Sequence, residues 1–240
     1  MAMNNSVGNT GRLLWAGLRA LVILTVVCGV IYPLAVTGVA QAVFHDKANG
    51  SEIKDSEGKV VGSSLIGQSY TDKDGKADLK WFQGRPQNGL GENSVNTQYK
   101  LILSGATNLS GDSGADPKTN KCKPLSAYKS EDDQATLCYK VLSARDAVIA
   151  DNSTATYKVK AADIPADAVT SSGSGLDPAI SPEYADLQVH RVAEKNHLSV
   201  AQVQKLVDQH TSGRQLGFMG EPTVNVLKLN IALKELVAKR

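Results

Sequence analysis

The chain has 240 residues, a formal net charge of +2 and 5% aromatic residues. Charge this near to balance implies no polyanionic partner and argues against nucleic acid, and so few aromatics give no stacking platform for bases or sugars. With one membrane anchor set aside, about 195 residues remain, enough for one cored domain or two small ones.

The opening MAMNNSVGNTG is polar, and residues 1–11 are expected to be disordered. Ala20–Ala40, ALVILTVVCGVIYPLAVTGVA, then runs without a charge. About 20 such residues in a helix span the ~30 Å hydrocarbon core of a bilayer. A soluble helix would need a polar face, which this one lacks. Pro33 lies inside the run, where lipid favours a kink over a stop. The rival reading is a cleaved export signal, with Ala40-Gln41-Ala42 as a cleavage-like site. Such signals carry apolar runs of only ~7–15 residues, so a transmembrane helix over 20–43 is the better reading. Arg12 and Arg19 precede it and no acid does. The positive-inside rule therefore places residues 1–19 in the cytoplasm and exports 44–240.

Glu52–Lys54 and Lys59–Val61 suit two short strands of a hairpin, with Asn49-Gly50 and Glu57-Gly58 as turn signals. Ser64–Tyr70 is a candidate continuation of that sheet. Asp72-Lys73-Asp74-Gly75-Lys76 superficially resembles an aspartyl-phosphate loop and half a calcium loop. It lacks the threonines of the first and the glycine position and distal Glu of the second, so it reads as a polar turn. Trp81-Phe82-Gln83-Gly84-Arg85-Pro86 has two readings. One is a core anchor with a surface arginine. The other is a partner-contact patch of Trp81, Phe82, Arg85 and Pro86, since Trp and Arg are favoured at interface centres. On the second, Arg85→Ala weakens assembly rather than folding.

Residues 87–98 and 104–117 read as loops around an ambiguous apolar run, Tyr99–Leu103. Residues 112–135 are an irregular, mixed-charge insertion. Cys28 lies in the span, whereas Cys122 and Cys138 fall in the exported part, where thiols tend to oxidise. A disulfide between them would close a loop of about 15 residues, worth ~3 kcal/mol in the chain-entropy model; the alternative is two free thiols. Leu137, Val141, Ala144 and Val148 place a helix near 136–150. Thr154–Val159 suits a strand. Asn108 and Asn152 sit in weak N-glycosylation patterns.

Ser171–Pro178 is glycine-rich and precedes a helix. It is either a capping loop or a phosphate cradle, with Ser174, Gly175 and Asp177 as weak nucleotide candidates. The Gly-Lys-Ser/Thr of a P-loop and the three-glycine dinucleotide spacing are both missing. Ser181-Pro182-Glu183 starts a helix that runs to about Asn196. Ser199 and Gln202 form a capping box for a second, with Val200, Val203, Leu206 and Val207 on its apolar face. Thr223 is expected to cap a last helix with a stripe of Val226, Leu229, Leu233 and Leu236. His190, His197 and His210 are scattered, with no shared metal site expected. No catalytic constellation is visible. The residues alone describe a single-span membrane protein with an exported α+β domain, a small sheet and C-terminal helices.

Several of these stretches together resemble one family. Gly67-Gln68 with Trp81–Pro86 resembles the "GQ…YF..RPS" region of the C subunit of the Kdp-type potassium-transporting ATPase. Ser104–Leu109 resembles its "SGGSNL" loop, and Ser172–Pro182 its "SGLDP.ISP" segment. The likeness continues through Gln188, Arg191-Val192-Ala193, Gly217–Glu221 and Val224–Asn230, and the anchor with Tyr32-Pro33-Leu34 also fits. Residues 71–80 and 112–135, Gln87, and Ser110-Gly111-Asp112 depart from the family pattern.

The resemblance implies a non-catalytic subunit of an ATP-driven potassium-uptake complex. Its companions there are a potassium-channel-like subunit, a P-type ATPase subunit and a small accessory membrane subunit. The family's C subunit is needed for assembly and acts as a catalytic chaperone that raises nucleotide affinity. The chain then has no cofactor of its own, and ATP is bound by the complex. An exported domain cannot meet cytoplasmic ATP, so such an effect works through the conformations of its partners. The competing expectation is a stand-alone membrane-anchored nucleotide-binding protein that uses Gly173–Asp177.

Overall fold

The computed structural model describes residues 7–86, 109, 111 and 113–239. The expectations for Gln87, the loop 87–98, Tyr99–Leu103, Ser104–Asn108, and the Asn108 glycosylation pattern lie outside the described residues. The chain divides into two compact units, Met1–Ser51 and Glu52–Arg240.

The first unit is helical. Helix α1 (Val7–Val26) leads through a π-helical turn (Val27–Ile31) into α2 (Tyr32–Val43). The wide turn answers Pro33, which has no amide to donate and whose ring crowds the carbonyl four residues back. Just before it, the Tyr32 amide bonds to the Val27 carbonyl, five residues back. The helix therefore passes through Pro33. It also begins earlier than expected, taking in residues 7–11. Once nucleated, a helix extends at little cost into flanking residues that lack proline. Asn9–Val43 is long and apolar enough to cross a membrane, and none of its apolar core is buried. Leu21, Ile23, Leu24 and Leu34 all stand exposed. A single turn, α3 (His45–Ala48), follows. The side-chain amides of Gln41 and Asn49 pair at 3.1 and 3.4 Å, and Asn49 Nδ2 also donates to the His45 carbonyl at 2.9 Å.

The second unit opens with an antiparallel hairpin of β1 (Glu52–Lys54) and β2 (Val60–Ser63). In its turn, Asp55 Oδ1 accepts from the amides of Glu57 and Lys59, each at 3.0 Å, and Gly58 supplies φ +79°. Asp72–Lys76 repeats the device. Asp72 Oδ1 accepts from Asp74 and Lys76, each at 2.9 Å, with Gly75 at φ +76°. The stretch that superficially resembled a phosphorylation or calcium loop is thus an Asp-anchored turn. Ser64–Tyr70 does not continue the sheet. Its polar groups bond elsewhere: the Gly67 amide donates to the Leu176 carbonyl at 2.8 Å, and Gln68 Nε2 to the Val61 carbonyl at 2.8 Å.

Residues 113–139 are more ordered than an irregular insertion. Helix α4 (Glu131–Gln134) carries a reciprocal Ser130–Asp133 capping box. Thr136 caps the longer α5 (Leu137–Asn152). Tyr128 is buried beneath them. Its hydroxyl accepts from the Lys123 amide at 3.0 Å and donates to the Gly114 carbonyl at 2.9 Å. Cys122 and Cys138 are joined by a disulfide with their Cα atoms 5.4 Å apart. Thr154–Val159 forms a turn and an irregular segment rather than a strand. The Thr154 amide donates to the Tyr157 carbonyl at 2.7 Å, and Thr154 Oγ1 accepts from the Tyr157 amide at 3.1 Å. The threonine hydroxyl has displaced the ladder.

The rest is β3 (Ala179–Ile180), α6 (Pro182–Lys195), α7 (Val200–His210), β4 (Thr211–Ser212), β5 (Thr223–Asn225) and α8 (Val226–Ala238). The strands form an antiparallel sheet in the order β3-β5-β4, with Val224 opposite both Ile180 and Thr211. Ser181 caps α6, and the Ser199–Gln202 box caps α7. The cap of α8 is Asn225, whose side chain accepts from the Lys228 amide at 3.1 Å. Thr223 lies in β5 instead, because pairing with Ser212 holds it extended. Tyr184, Val192, Val203, Val207, Leu229 and Leu233 turn inward to share one core, each burial contributing about 1.5–3 kcal/mol. The fold is α+β, an apolar N-terminal helix followed by small sheets and C-terminal helices.

Candidate functional site

Residues 79–86 have almost no regular structure, yet they pack against the core of the second unit, with Phe82 inside it. Phe82 is 0% exposed, and Trp81 packs on the same core with its ring 6.1 Å from that of Tyr70. Buried peptide groups need partners, and here side chains of α6, its C-cap Asn196 and α8 provide them. Asn230 Oδ1 accepts from the Phe82 amide and Asn230 Nδ2 donates to its carbonyl, both at 2.9 Å. Gln188 does the same for Gln83, at 2.7 and 3.0 Å. Asn196 Nδ2 donates to the Lys80 carbonyl at 2.8 Å.

Arg191 completes the set from the middle of α6, 1% exposed. Its Nη1 donates to the carbonyls of Leu79 and Trp81. Nη2 reaches Gln188 Oε1 at 2.6 Å and Nε reaches Asn152 Oδ1 at 2.8 Å. Burial pulls the guanidinium down to about 10, against weaker upward pulls from Tyr184, Asp151 and Asp78. It therefore stays charged at neutral pH. Its neutral oxygen partners use four of its five N–H donors. All five carbonyls from Leu79 to Gln83 thus end on side chains. Asn152 is buried and bonded to Arg191, so its glycosylation pattern is not presented on the folded surface.

Arg85 and Pro86 stand nearer the surface, half-buried. Arg85 Nε donates to the Thr170 carbonyl at 3.3 Å and Nη2 to the Ser171 carbonyl at 3.1 Å. Nη1 lies 3.7 Å from Asp177 Oδ2. Of the four partner-contact candidates, then, Phe82 reaches no surface, Trp81 leans on the core, and Arg85 is engaged within its own unit. A cleft of about 290 Å³ opens beside Arg85 and Pro86, with Thr71, Ala147, Asp151 and Tyr184 in its walls. Partial burial pushes the Asp151 carboxyl up, against a smaller downward pull from Arg191. Burial pushes the Tyr184 hydroxyl up to about 12.

The glycine-rich loop is bonded to itself. The Gly175 amide donates to the Ser172 carbonyl at 3.1 Å. The Leu176 amide meets Ser174 Oγ at 3.1 Å and the Asp177 amide meets Ser172 Oγ at 3.3 Å. The Ala179 amide goes to Asp177 Oδ1 at 2.9 Å. Residue 178 is proline, so every amide from 175 to 179 is engaged inside the loop. The N-terminus of α6 already holds an anion as well: Asp167 accepts from the Ser181 amide at 2.7 Å and its hydroxyl at 2.9 Å. The geometry around Ser174, Gly175 and Asp177 is that of a capping loop. The histidines stay apart. His190 stacks on Tyr157 at 4.1 Å and His210 Nδ1 contacts the Leu206 carbonyl at 2.8 Å. Among the described residues, no group of three or more His, Cys, Asp or Glu could hold a metal ion.

The family model described as "KdpC: K+-transporting ATPase, c chain" matches residues 14–235. The chain belongs to this family. It is 67% identical to the potassium-transporting ATPase KdpC subunit of Streptomyces avermitilis, over 98% of this chain and 99% of that protein. It is 60% identical to the subunit of the same name from Streptomyces coelicolor, over 98% of each chain. Identity to the Mycobacterium bovis protein of that name is 38%, over 94% of this chain and 99% of that one. The match takes in the apolar helix and the whole constellation around residues 79–86. Sequence reasoning singled out Trp81–Pro86, Gln188 and Arg191, but it read Asn152 only as a glycosylation pattern, Asn196 only as a helix end and Asn230 only as part of the family likeness. The signal for Asn230 was present: an amide between Leu229 and Leu233 on an apolar stripe belongs in a core only if it is bonded there.

Proposed function

We propose that the chain is a membrane-anchored, non-catalytic accessory subunit of an ATP-driven potassium-uptake complex. The family match over residues 14–235 carries this reading. The exposed apolar helix supports it, since among the described residues the apolar window of Asn9–Val43 is 0% buried. Arg12 and Arg19 favour a cytoplasmic N-terminus, which exports residues 44–240. Its companions are a potassium-channel-like subunit, a P-type ATPase subunit and a small accessory membrane subunit, and its work is to assemble and stabilise them. Its influence on ATP is indirect. The amides of 175–179 are engaged internally, and an exported domain shares no compartment with the nucleotide. It raises the nucleotide affinity of the ATPase subunit by favouring one conformation of its neighbours.

Three measurements test this. The full chain should co-purify with the large subunits from native membranes, and cells lacking it should lose potassium uptake at limiting potassium. Protease added outside spheroplasts should digest residues 52–240. A domain protected from outside but cut in inverted vesicles reverses the orientation and reopens direct contact with ATP.

A further inference from the structure

The loop between β4 and β5 turns its apolar side chains outward. Leu216, Phe218 and Met219 are 83%, 71% and 49% exposed. The loop is nevertheless closed. Gln215 and Met219 exchange both backbone bonds, at 2.8 and 2.9 Å. Gly217 and Gly220 sit at φ +81° and +76°, where glycine is at ease. Leu216 sits at φ +53°, which costs a side-chain-bearing residue of order 1–3 kcal/mol. Across the base, Arg214 Nη2 donates to Glu221 Oε2 at 2.7 Å. Three apolar side chains are thus held on a braced hairpin and kept in water.

We propose that the Arg214–Glu221 hairpin is a docking finger whose tip enters an apolar cleft on a partner protein subunit. The inference rests on the accessory-subunit reading above. Charge at the base selects protein over lipid. An apolar element that lies in a bilayer interface is typically flanked by several Lys or Arg side chains that meet the headgroups. Here the one cation is neutralised by Glu221, and that carboxylate would be repelled by headgroups. A self-neutral base suits the uncharged rim of a protein cleft. Because the backbone is already braced, docking loses little further conformational freedom, and the apolar tip is what the cleft desolvates.

The test uses the full chain in native membranes with its partner subunits. A photo-crosslinking amino acid at Phe218 should form an adduct with one large subunit. The double variant Leu216→Ser, Phe218→Ser should lower the co-purified complex about tenfold or more, with the melting temperature of the chain unchanged. Adducts only with lipid or only with a second copy of the chain overturn the proposal, as does an unchanged complex yield. If the melting temperature falls, the adduct decides alone. If the wild-type chain fails to co-purify with any transport subunit, the functional reading itself falls and takes this one with it. A normal wild-type complex with an equally normal variant removes the finger only.

Discussion

Asn230 treats Phe82 as a neighbouring strand would. Its amide oxygen takes the Phe82 N–H and its amide nitrogen serves the Phe82 carbonyl, 2.9 Å each way, across 148 positions of sequence. Neither partner is in a sheet, and Phe82 has no exposed surface. One side chain thus replaces a rung of backbone pairing.

Asn230→Leu and Gln188→Leu should each be strongly destabilising. Asn230→Leu strips both peptide groups of buried Phe82, at about 1–3 kcal/mol per group, so roughly 2–6 kcal/mol; Gln188→Leu strips those of half-buried Gln83, at less per group. Urea unfolding of the full chain in detergent reads this as a lowered midpoint at constant slope. Asn230→Asp should also fail to rescue stability at neutral pH, because it keeps the acceptor but loses the donor to the Phe82 carbonyl. A midpoint within error of wild type for either leucine variant would mean that water replaces the amide.

Tyr70→Phe should stabilise. The Tyr70 hydroxyl is buried without a hydrogen-bond partner in good geometry, and burial pushes it up to about 12 despite a small opposing pull from nearby Asn230. Removing an unsatisfied buried hydroxyl returns about 1–3 kcal/mol. The pH profile carries a second signature. The folded value lies above the ordinary one of 10.0, so the protonated hydroxyl contributes fully below pH 10 and its contribution is lost as pH rises towards 12. Tyr184 behaves alike, while buried Arg191, pulled down to about 10, works in the opposite sense. Melting curves from pH 9 to 12 should therefore fall less steeply for Tyr70→Phe than for wild type.

Reduction, or Cys122→Ser with Cys138→Ser, should loosen one lobe only. The disulfide closes a separation of 16 residues, worth ~3 kcal/mol in the chain-entropy model. Hydrogen exchange should quicken across 113–139 while the amides of α6 and α8 keep their protection. Equal loss of protection in α6 would show that the lobe and the core fold as one unit.

Arg85→Ala should loosen the loop at 170–177. The guanidinium makes two charge-assisted bonds there, to Thr170 and Ser171, each worth about 1.5–3 kcal/mol when well buried and less here, where Arg85 is half-buried. A lowered melting temperature with normal complex yield supports this intramolecular role. A normal melting temperature with lost complex supports the contact-patch reading of the same residue.

The helices were legible where local rules set them. Ser181 with Pro182, Ser199 with Gln202, and the Val226–Leu229–Leu233 stripe each announce a terminus or a buried face within a few residues. The apolar span declared itself by composition, and Pro33 by its place within it. What the chain hid is long-range. Thr154–Val159 has the composition of a strand, but a threonine hydroxyl ties it into a turn. Ser64–Tyr70 looked like a strand until Leu176 accepted the Gly67 amide. Thr223 looked like a cap because the strand that claims it is only three residues long. At the site, Arg85 could be read as surface or as contact. Only the fold brings Thr170 and Ser171 beneath it.

The carbonyls of Leu79–Gln83 have a consequence for folding during synthesis. Their partners arrive late, at Gln188, Arg191, Asn196 and finally Asn230. As the chain is synthesised, Phe82 emerges long before the amide that must close it. Until then the carbonyls of this segment lack the partners that hold them in the folded unit. Contacts so distant in sequence also form slowly. Completion of the domain thus waits on its last helix, and a ribosome stalled before residue 230 would leave a protease-sensitive remnant.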